Sequence, residues 1–252
     1  MNGAAATERS AKSVGRTVGV LLLLHLAAGL TVPFILLLPL IAPPGFLANG
    51  AGIPNQVRAA VLLLFVGSAI AIAIACTAWS VFRQYSSPMA LWLLAFAVAS
   101  FSLQAIDNAH LLSMLSLSQE YANAGANKAD LFQSLALVVG SARKWSHYSF
   151  LLVVGSWIFL LCSLLYRFRL VPRTLAAFGL VGSMFQIAGV TLRGLWGYPP
   201  ETRLAMPLAP AYVALALWLI VKGFDEQHRP IEAQAHRSVK ERSEAHAPLT
   251  RS

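Results

Sequence analysis

Charged residues are scarce in this sequence. Asp, Glu, Lys and Arg make up 12% of its 252 residues, whereas hydrophobic residues make up 57%. A soluble domain usually carries about twice that charged fraction, roughly 25%. Several apolar runs also reach the roughly 20 residues that a helix needs to cross a bilayer. The composition therefore excludes an ordinary soluble domain and indicates an integral membrane protein.

Cysteine and several catalytic motifs are also rare or missing. Cys76 and Cys162 lie in predicted spans without CxxC spacing, which indicates packing residues rather than a redox pair. The sequence has no glycine-rich phosphate loop, no GxSxG and no CxxCH. These absences argue against an ATP-driven pump and against a membrane serine hydrolase of the usual kind. No cofactor is predicted.

Acidic residues are few, and the location of the resulting positive charge matters. There are 10 acidic and 19 basic residues, a net charge of +9. From Asp225 onward basic and acidic residues balance, so the whole excess lies in the membrane part. Basic residues at helix ends are what membrane topology requires. The expected partner is the lipid bilayer, with no nucleic acid.

The apolar runs predict an all-α fold, a polytopic helical membrane bundle of about six transmembrane helices plus a short interfacial helix. The predicted spans are 17–41, 57–82, 89–115, 146–166, 175–196 and 204–221. The apolar segment 130–142 is too short to span and predicts the interfacial or re-entrant helix. The domains expected are a cytoplasmic N-terminal segment 1–16, a transmembrane domain 17–223 and a disordered cytoplasmic tail 224–252.

The distribution of Lys and Arg predicts the orientation. With the N-terminus inside, the cytoplasmic side holds thirteen of them: Arg9, Lys12, Arg16, Arg83, Arg167, Arg169, Arg173, Lys222 and five in the tail. The opposite side holds six: Arg58, Lys128, Arg143, Lys144, Arg193 and Arg203. The positive-inside rule therefore predicts that both termini are cytoplasmic.

Small residues in the second span form a regular stripe. Gly67, Ala71 and Ala75 recur at every fourth position and so share one face of a helix. Such a face lets another helix approach closely. The stripe predicts a helix-packing surface, either within the protein, with a second copy, or with another membrane protein.

Short motifs along the chain resemble a known family. They are Arg16 with Gly19, His147 with Gly155, Val171-Pro172-Arg173 with Gly179, and the run Ala216–Gly223. Together they resemble an uncharacterised bacterial family, the domain of unknown function 4386. Gln104 also fits its pattern, although Phe101 stands where the family tends to carry an arginine. The resemblance implies a multi-pass protein of the bacterial plasma membrane and no established activity.

A few polar side chains lie within the predicted spans. Ionisable groups at depth in a bilayer are costly and therefore mark candidate sites. Asp107 and His110 lie three residues apart on one helix face, which Gln104 extends, and His147 and Arg193 are expected at a similar depth near the outer boundary. His25 and Gln186 are expected to make hydrogen bonds between helices or to the backbone.

Three interpretations of these polar residues remain open. In the first, Asp107, His110 and His147 bind a metal such as zinc and support hydrolysis. In the second, the Asp–His pair relays a proton or holds an anionic group beside Arg193. In the third, the residues only stabilise the fold. A non-enzymatic transporter-like, ligand-binding or partner-binding bundle is the leading prediction, and a membrane-embedded metal-dependent hydrolase is the alternative.

Overall fold

The computed structural model describes residues 2–124, 128–197 and 208–225, and every regular element in these ranges is helical. The predicted all-α class is confirmed. Eight α-helices occur in this part of the chain: α1 Asn2–Thr31, α2 Leu38–Ile41, α3 Phe46–Asn49, α4 Pro54–Phe82, α5 Ser87–Asn123, α6 Ala129–Arg167, α7 Arg173–Trp196 and α8 Leu208–Lys222.

Within the described residues, five helical segments are long and apolar enough to cross a membrane: Ala11–Ile41, Pro54–Phe82, Ser87–Asn123, Ala129–Arg167 and Arg173–Gly194. The first combines α1, a π-helical turn at Val32–Leu36 that contains Pro33, and α2. Helix α8 is a shorter apolar helix of 15 residues that follows the undescribed residues 198–207. The predicted sixth span, 204–221, overlaps α8 from Leu208 onward, and its residues 204–207 lie outside the described part of the chain.

Two predicted boundaries differ from the structure. The N-terminal segment 1–16 is not separate from the first span, because α1 runs without a break from Asn2 to Thr31. The interfacial helix predicted over 130–142 is likewise the first third of α6. Arg143 and Lys144 indicated a membrane boundary, but neither residue interrupts a helix. Most of the predicted disordered tail, residues 226–252, lies outside the described residues.

Six helices form a closed ring. Each packs most extensively against two neighbours, in the order α1, α4, α5, α6, α7, α8 and back to α1. Close approach of α1 and α8 depends on glycine: a Cβ added at Gly19 would lie 2.8 Å from the Ala216 carbonyl oxygen. The first and last helices of the domain therefore pack directly against each other.

Two clusters of buried side chains fill parts of the ring, and the larger one lies at one end; the smaller one, which includes Leu40, Val57 and Leu111, lies at the other. A core of large buried side chains fills the interior where α1, α5 and α7 begin and α4, α6 and α8 end; it includes Val18, Leu22, Ile74, Phe82, Leu93, Leu161, Leu164, Leu165, Leu219 and Phe224. We call this end the packed half. Phe224, which was assigned to the tail, belongs to this core.

Both ends of the domain lie at the packed half. The Asp225 backbone N–H donates to the Leu170 carbonyl oxygen at 2.9 Å, in the connection between α6 and α7. A Cβ added at Gly223 would lie 2.6 Å from the Lys12 carbonyl oxygen in α1. The start of the first span and the end of α8 therefore lie on the same side of the bundle.

The small-residue stripe of α4 lies inside the bundle. Gly67, Ala71 and Ala75 are all buried. A Cβ added at Gly67 would lie 3.3 Å from the Ala28 Cβ of α1. The stripe is thus covered by the protein's own first helix.

Candidate functional site

The other end of the ring contains a cavity of about 740 Å³, which is partly open, since exposed side chains such as Leu30, Phe34 and Ile41 line it. All six ring helices contribute to its lining, including residues 25–37 of the first span, 63–68 of α4, 104–114 of α5 and 140–158 of α6. Most of the wall is apolar, with side chains such as Leu64, Leu151 and Val154. We call this end the hollow half. The cavity is within the size range of ligand sites in proteins, about 300–1,000 Å³.

Asp107 lies at the centre of the polar part of this cavity. It is 1% exposed, and its carboxylate accepts a hydrogen bond from the Ser146 hydroxyl at 3.2 Å. The Nδ1 atom of His147 lies 3.3 Å from Asp107 Oδ2, and the Arg143 Nε lies 3.6 Å from Oδ1. One carboxylate therefore meets three polar side chains of α6, as expected for a buried charge.

The three partners of Asp107 share one face of α6. Arg143, Ser146 and His147 are spaced at i, i+3 and i+4, which places them side by side on a helix. This arrangement exists because α6 is continuous through residues 143–147. Because the helix is continuous, Arg143 lies on the same face as Ser146 and His147, and this face is directed toward Asp107.

Amide side chains fix Asp107 from the other side. The Gln104 Nε2 donates to Asn108 Oδ1 at 3.0 Å and lies 3.5 Å from Asp107 Oδ2. Asn108 Nδ2 donates to the Val61 carbonyl oxygen of α4 at 3.3 Å. Gln104 and Asn108 are both buried. This network ties the carboxylate to two helices and holds it in place.

Positive charge dominates this part of the cavity. Among the described residues, Arg143, Lys144 and Arg193 line it together with the one carboxylate of Asp107. Within this part of the chain, three cations against one carboxylate leave an excess of two positive charges before His147 is considered. The Arg143 Nε is buried and makes no hydrogen bond among the described residues. We call Arg143, Lys144, His147 and Arg193 the cationic end of the cavity.

The predicted site residues are only partly brought together. Asp107, Gln104, His147 and Arg193 all line the cavity. His110 is connected indirectly, since its Nδ1 lies 3.1 Å from the Ser146 hydroxyl rather than beside Asp107. Within the described residues, no three His, Cys, Asp or Glu side chains are grouped as metal ligands would be. The metal interpretation thus stays a prediction that the geometry does not strengthen.

A second polar group lies deeper in the ring, next to the packed half. The His25 ring centroid is 5.7 Å from that of Trp157 and 6.1 Å from that of Tyr212. His25 and Tyr212 line the cavity. No hydrogen bond of His25 is found among the described residues, so the hydrogen bond expected for it stays a prediction. We call these three residues the floor of the cavity.

Sequence reasoning missed several of these residues. Arg143, Lys144 and Ser146 were assigned to a membrane boundary, and Asn108 was not singled out. The spacing of residues 143, 146 and 147 could have indicated that Arg143 and Ser146 share a helix face with His147. This inference requires that α6 be predicted as a single helix. Trp157 and Tyr212 carried no signal, because aromatic residues are ordinary in membrane spans.

Fold and site together define the class of this protein: a multi-pass helical membrane protein whose helix ring contains a polar-ended cavity. The model of the family described as Domain of unknown function (DUF4386) matches residues 17–223. The chain therefore belongs to this family, and the resemblance of its sequence motifs is confirmed. No curated protein and no solved structure matches the chain significantly.

Proposed function

We propose that this protein is a non-enzymatic, transporter-like bundle that binds a small amphiphilic anion within the membrane. The observation that carries the proposal is the cavity of about 740 Å³, which combines an apolar wall with a cationic end. Arg and Lys recognise carboxylate and phosphate groups through charge-assisted hydrogen bonds. An apolar wall suits a hydrocarbon chain. The two features lie in one cavity and favour one ligand with both parts.

The state of Arg143 supports an anionic ligand. Its Nε atom is buried without a hydrogen bond, and 3.6 Å separates it from the nearest Asp107 oxygen. A guanidinium carries five N–H donors and no acceptor. Asp107 alone leaves donor capacity at the cationic end for a further anion. Asp107 and His147 then serve to position Arg143 rather than to perform chemistry.

A role as a subunit of another membrane protein has less support. That role requires an exposed small-residue face, and Gly67, Ala71 and Ala75 are covered within the bundle.

For its location we propose the bacterial plasma membrane with both termini in the cytoplasm. The charge bias of the loops supports this orientation. The common position of the domain ends at the packed half supports an even number of crossings. The cavity then lies in the outer part of the bilayer.

Binding of dodecanoate to the detergent-purified full chain, followed by native mass spectrometry, tests the proposal. Dodecyltrimethylammonium, which has the same chain and the opposite charge, serves as the ligand control. We expect one dodecanoate per protein and at least tenfold weaker binding of the cation. Arg143→Gln should weaken dodecanoate binding about tenfold, which corresponds to roughly 1.4 kcal/mol.

Arg58→Gln is the matched control variant. Arg58 is an exposed residue of α4 that hydrogen-bonds Asn55 and does not line the cavity. It loses the same charge and should bind dodecanoate as the natural protein does. Equal binding of the anion and the cation, or equal losses in both variants, would refute the proposal.

A further inference from the structure

The floor of the cavity contains buried polar atoms without protein partners. Tyr212 is 4% exposed and Trp157 is 1% exposed. The Tyr212 hydroxyl and the Trp157 Nε1 make no hydrogen bond among the described residues. Both rings contact His25, which likewise has no hydrogen bond there. Three hydrogen-bonding side chains from α1, α6 and α8 are thus grouped without bonding one another.

This grouping is costly unless something else pairs with these side chains. An unsatisfied buried polar group costs about 1–3 kcal/mol, and membrane surroundings offer no alternative partner. Native proteins rarely leave such atoms unpaired, so a cluster of them requires an explanation. Tyr212 and His25 line the cavity, so a molecule that fills it contacts both side chains.

The distance between the two polar regions sets the length of that molecule. His147 at the cationic end and Trp157 at the floor lie ten residues apart on α6, about 15 Å along the helix axis. The wall between them is apolar and includes Leu151 and Val154. An extended chain advances about 1.2 Å for each bond, so roughly twelve bonds cover this distance.

We infer that the ligand has two polar ends: an anionic head at the cationic end and an uncharged hydroxyl or carbonyl group that hydrogen-bonds the floor. The chemical class is an ω-oxygenated amphiphile with an apolar chain of about twelve bonds. Tyr212 supplies a donor to the ligand oxygen, and His25 supplies either a donor or an acceptor. The inference rests on the proposed anion-binding function and adds a second recognition point to the same cavity.

A matched set of probes tests the inference. We compare dodecanoate, 6-hydroxydodecanoate and 12-hydroxydodecanoate on the purified full chain by native mass spectrometry. The 12-hydroxy compound should bind about three- to tenfold more tightly than dodecanoate, the gain expected for one hydrogen bond to a buried partner. The 6-hydroxy compound should bind no more tightly than dodecanoate, because its hydroxyl meets the apolar wall.

Tyr212→Phe should abolish the preference for the 12-hydroxy compound over dodecanoate. Tyr166→Phe is the matched control, since Tyr166 is exposed at the end of α6 and does not line the cavity. The order of the three probes on the natural protein is decisive even where a variant fails to fold.

The outcomes separate the two ideas. If dodecanoate binds at the cationic end and the 12-hydroxy compound binds no more tightly, the floor contact is refuted and the proposed function stands. If none of the three anions binds, both are refuted. If the preference for the 12-hydroxy compound persists in Tyr212→Phe, the floor contact is refuted.

Discussion

Among single residues, Asp107 is the centre of the polar network. Its buried carboxylate contacts Ser146, His147 and Arg143 on α6 and is held by Gln104 on its own helix. A buried charge is tolerated only where it is paired and hydrogen-bonded. The residue therefore contributes to stability as well as to the electrostatics of the cavity.

Asp107→Asn should lower the free energy of unfolding by about 2 kcal/mol, because it removes an ionised acceptor from several charge-assisted contacts. Thermal unfolding in detergent, followed by circular dichroism, measures the loss. Asp130→Asn is the control, since Asp130 is an exposed residue in the first turn of α6. Its effect should stay within a few tenths of a kcal/mol. Equal shifts in the two variants would contradict the assigned role of Asp107.

The pairing of Asp107 with Arg143 has its own test in a double-mutant cycle. The two residues are close enough to couple, so the losses in Asp107→Asn and Arg143→Gln should not add in the double variant. We expect a coupling of about 1 kcal/mol in equilibrium unfolding. The cycle of Asp107→Asn with Arg58→Gln, a distant exposed cation, should be additive within 0.5 kcal/mol, roughly the scatter for independent sites. Full additivity in both cycles would remove Arg143 from the network.

Sequence reasoning singled out part of the polar lining of the cavity. Asp107, His147, Gln104 and Arg193 could be selected because polar residues in apolar runs are conspicuous. Arg143 could not, because basic residues are expected at span ends and its position in the chain allowed that interpretation. Arg143 is distinguished only by the tertiary structure, in which α5 and α6 lie close together at Asp107. No local sequence pattern predicts this contact.

At the level of helices, α1 shows how one residue sets the distance between two elements. Gly19 faces the α8 backbone, whereas an added Cβ at Gly29 of the same helix would meet nothing within 4 Å. Gly19→Ala should therefore lower the free energy of unfolding by about 1–3 kcal/mol through overpacking. Gly29→Ala should be neutral or stabilise the helix by up to about 1 kcal/mol. Thermal unfolding of the pair measures the difference, and similar effects of the two substitutions would contradict close α1–α8 packing.

Helix α6 shows where pattern reading fails at this scale. The segment 130–142 was separated from 146–166 because charged residues usually mark the edge of the hydrocarbon. Here Arg143 is paired with Asp107, and the Lys144 ammonium lies 5.3 Å from the centroid of the Trp145 ring. Local partners thus accommodate both charges, and the helix continues.

Hydrogen exchange checks the continuity of α6. The amides of residues 142–146 should be as protected as those of residues 150–154, since all donate to carbonyls within one helix. A separate interfacial helix would instead leave a rapidly exchanging break at residues 143–145. Mass spectrometry of peptides covering these two segments distinguishes the alternatives.

At the level of the whole molecule, the larger buried core lies at one end of the ring, and the cavity lies beside a smaller buried cluster at the other. The length and hydropathy of the apolar runs were enough to predict the all-α class and the approximate positions of the spans. They could not predict the ring order or the cavity, because both depend on which helix faces which. Close contacts such as Gly67 with Ala28 and Gly19 with Ala216 determine which helices face each other.

The proposed orientation yields a prediction for the whole chain. A green fluorescent protein fused after Ser252 should fluoresce, and alkaline phosphatase at the same point should be inactive, because each reports the side of the membrane. Reporters fused after Lys128, between α5 and α6, should give the reverse result. Fluorescence at both points would contradict the proposed topology.

The pairing of α1 with α8 also determines when the fold can be completed during biosynthesis. The two helices are neighbours in the ring but lie at opposite ends of the domain sequence. At a synthesis rate of about 5–20 residues per second, the ribosome needs roughly 10–40 s to produce the chain between them. During that interval the face of α1 that carries Gly19 has no partner within the nascent chain. Lipid or the insertion machinery must cover this face until α8 has been synthesised. If the ribosome stalls before α8, the ring stays open and incomplete, and cellular quality control can recognise the uncovered face.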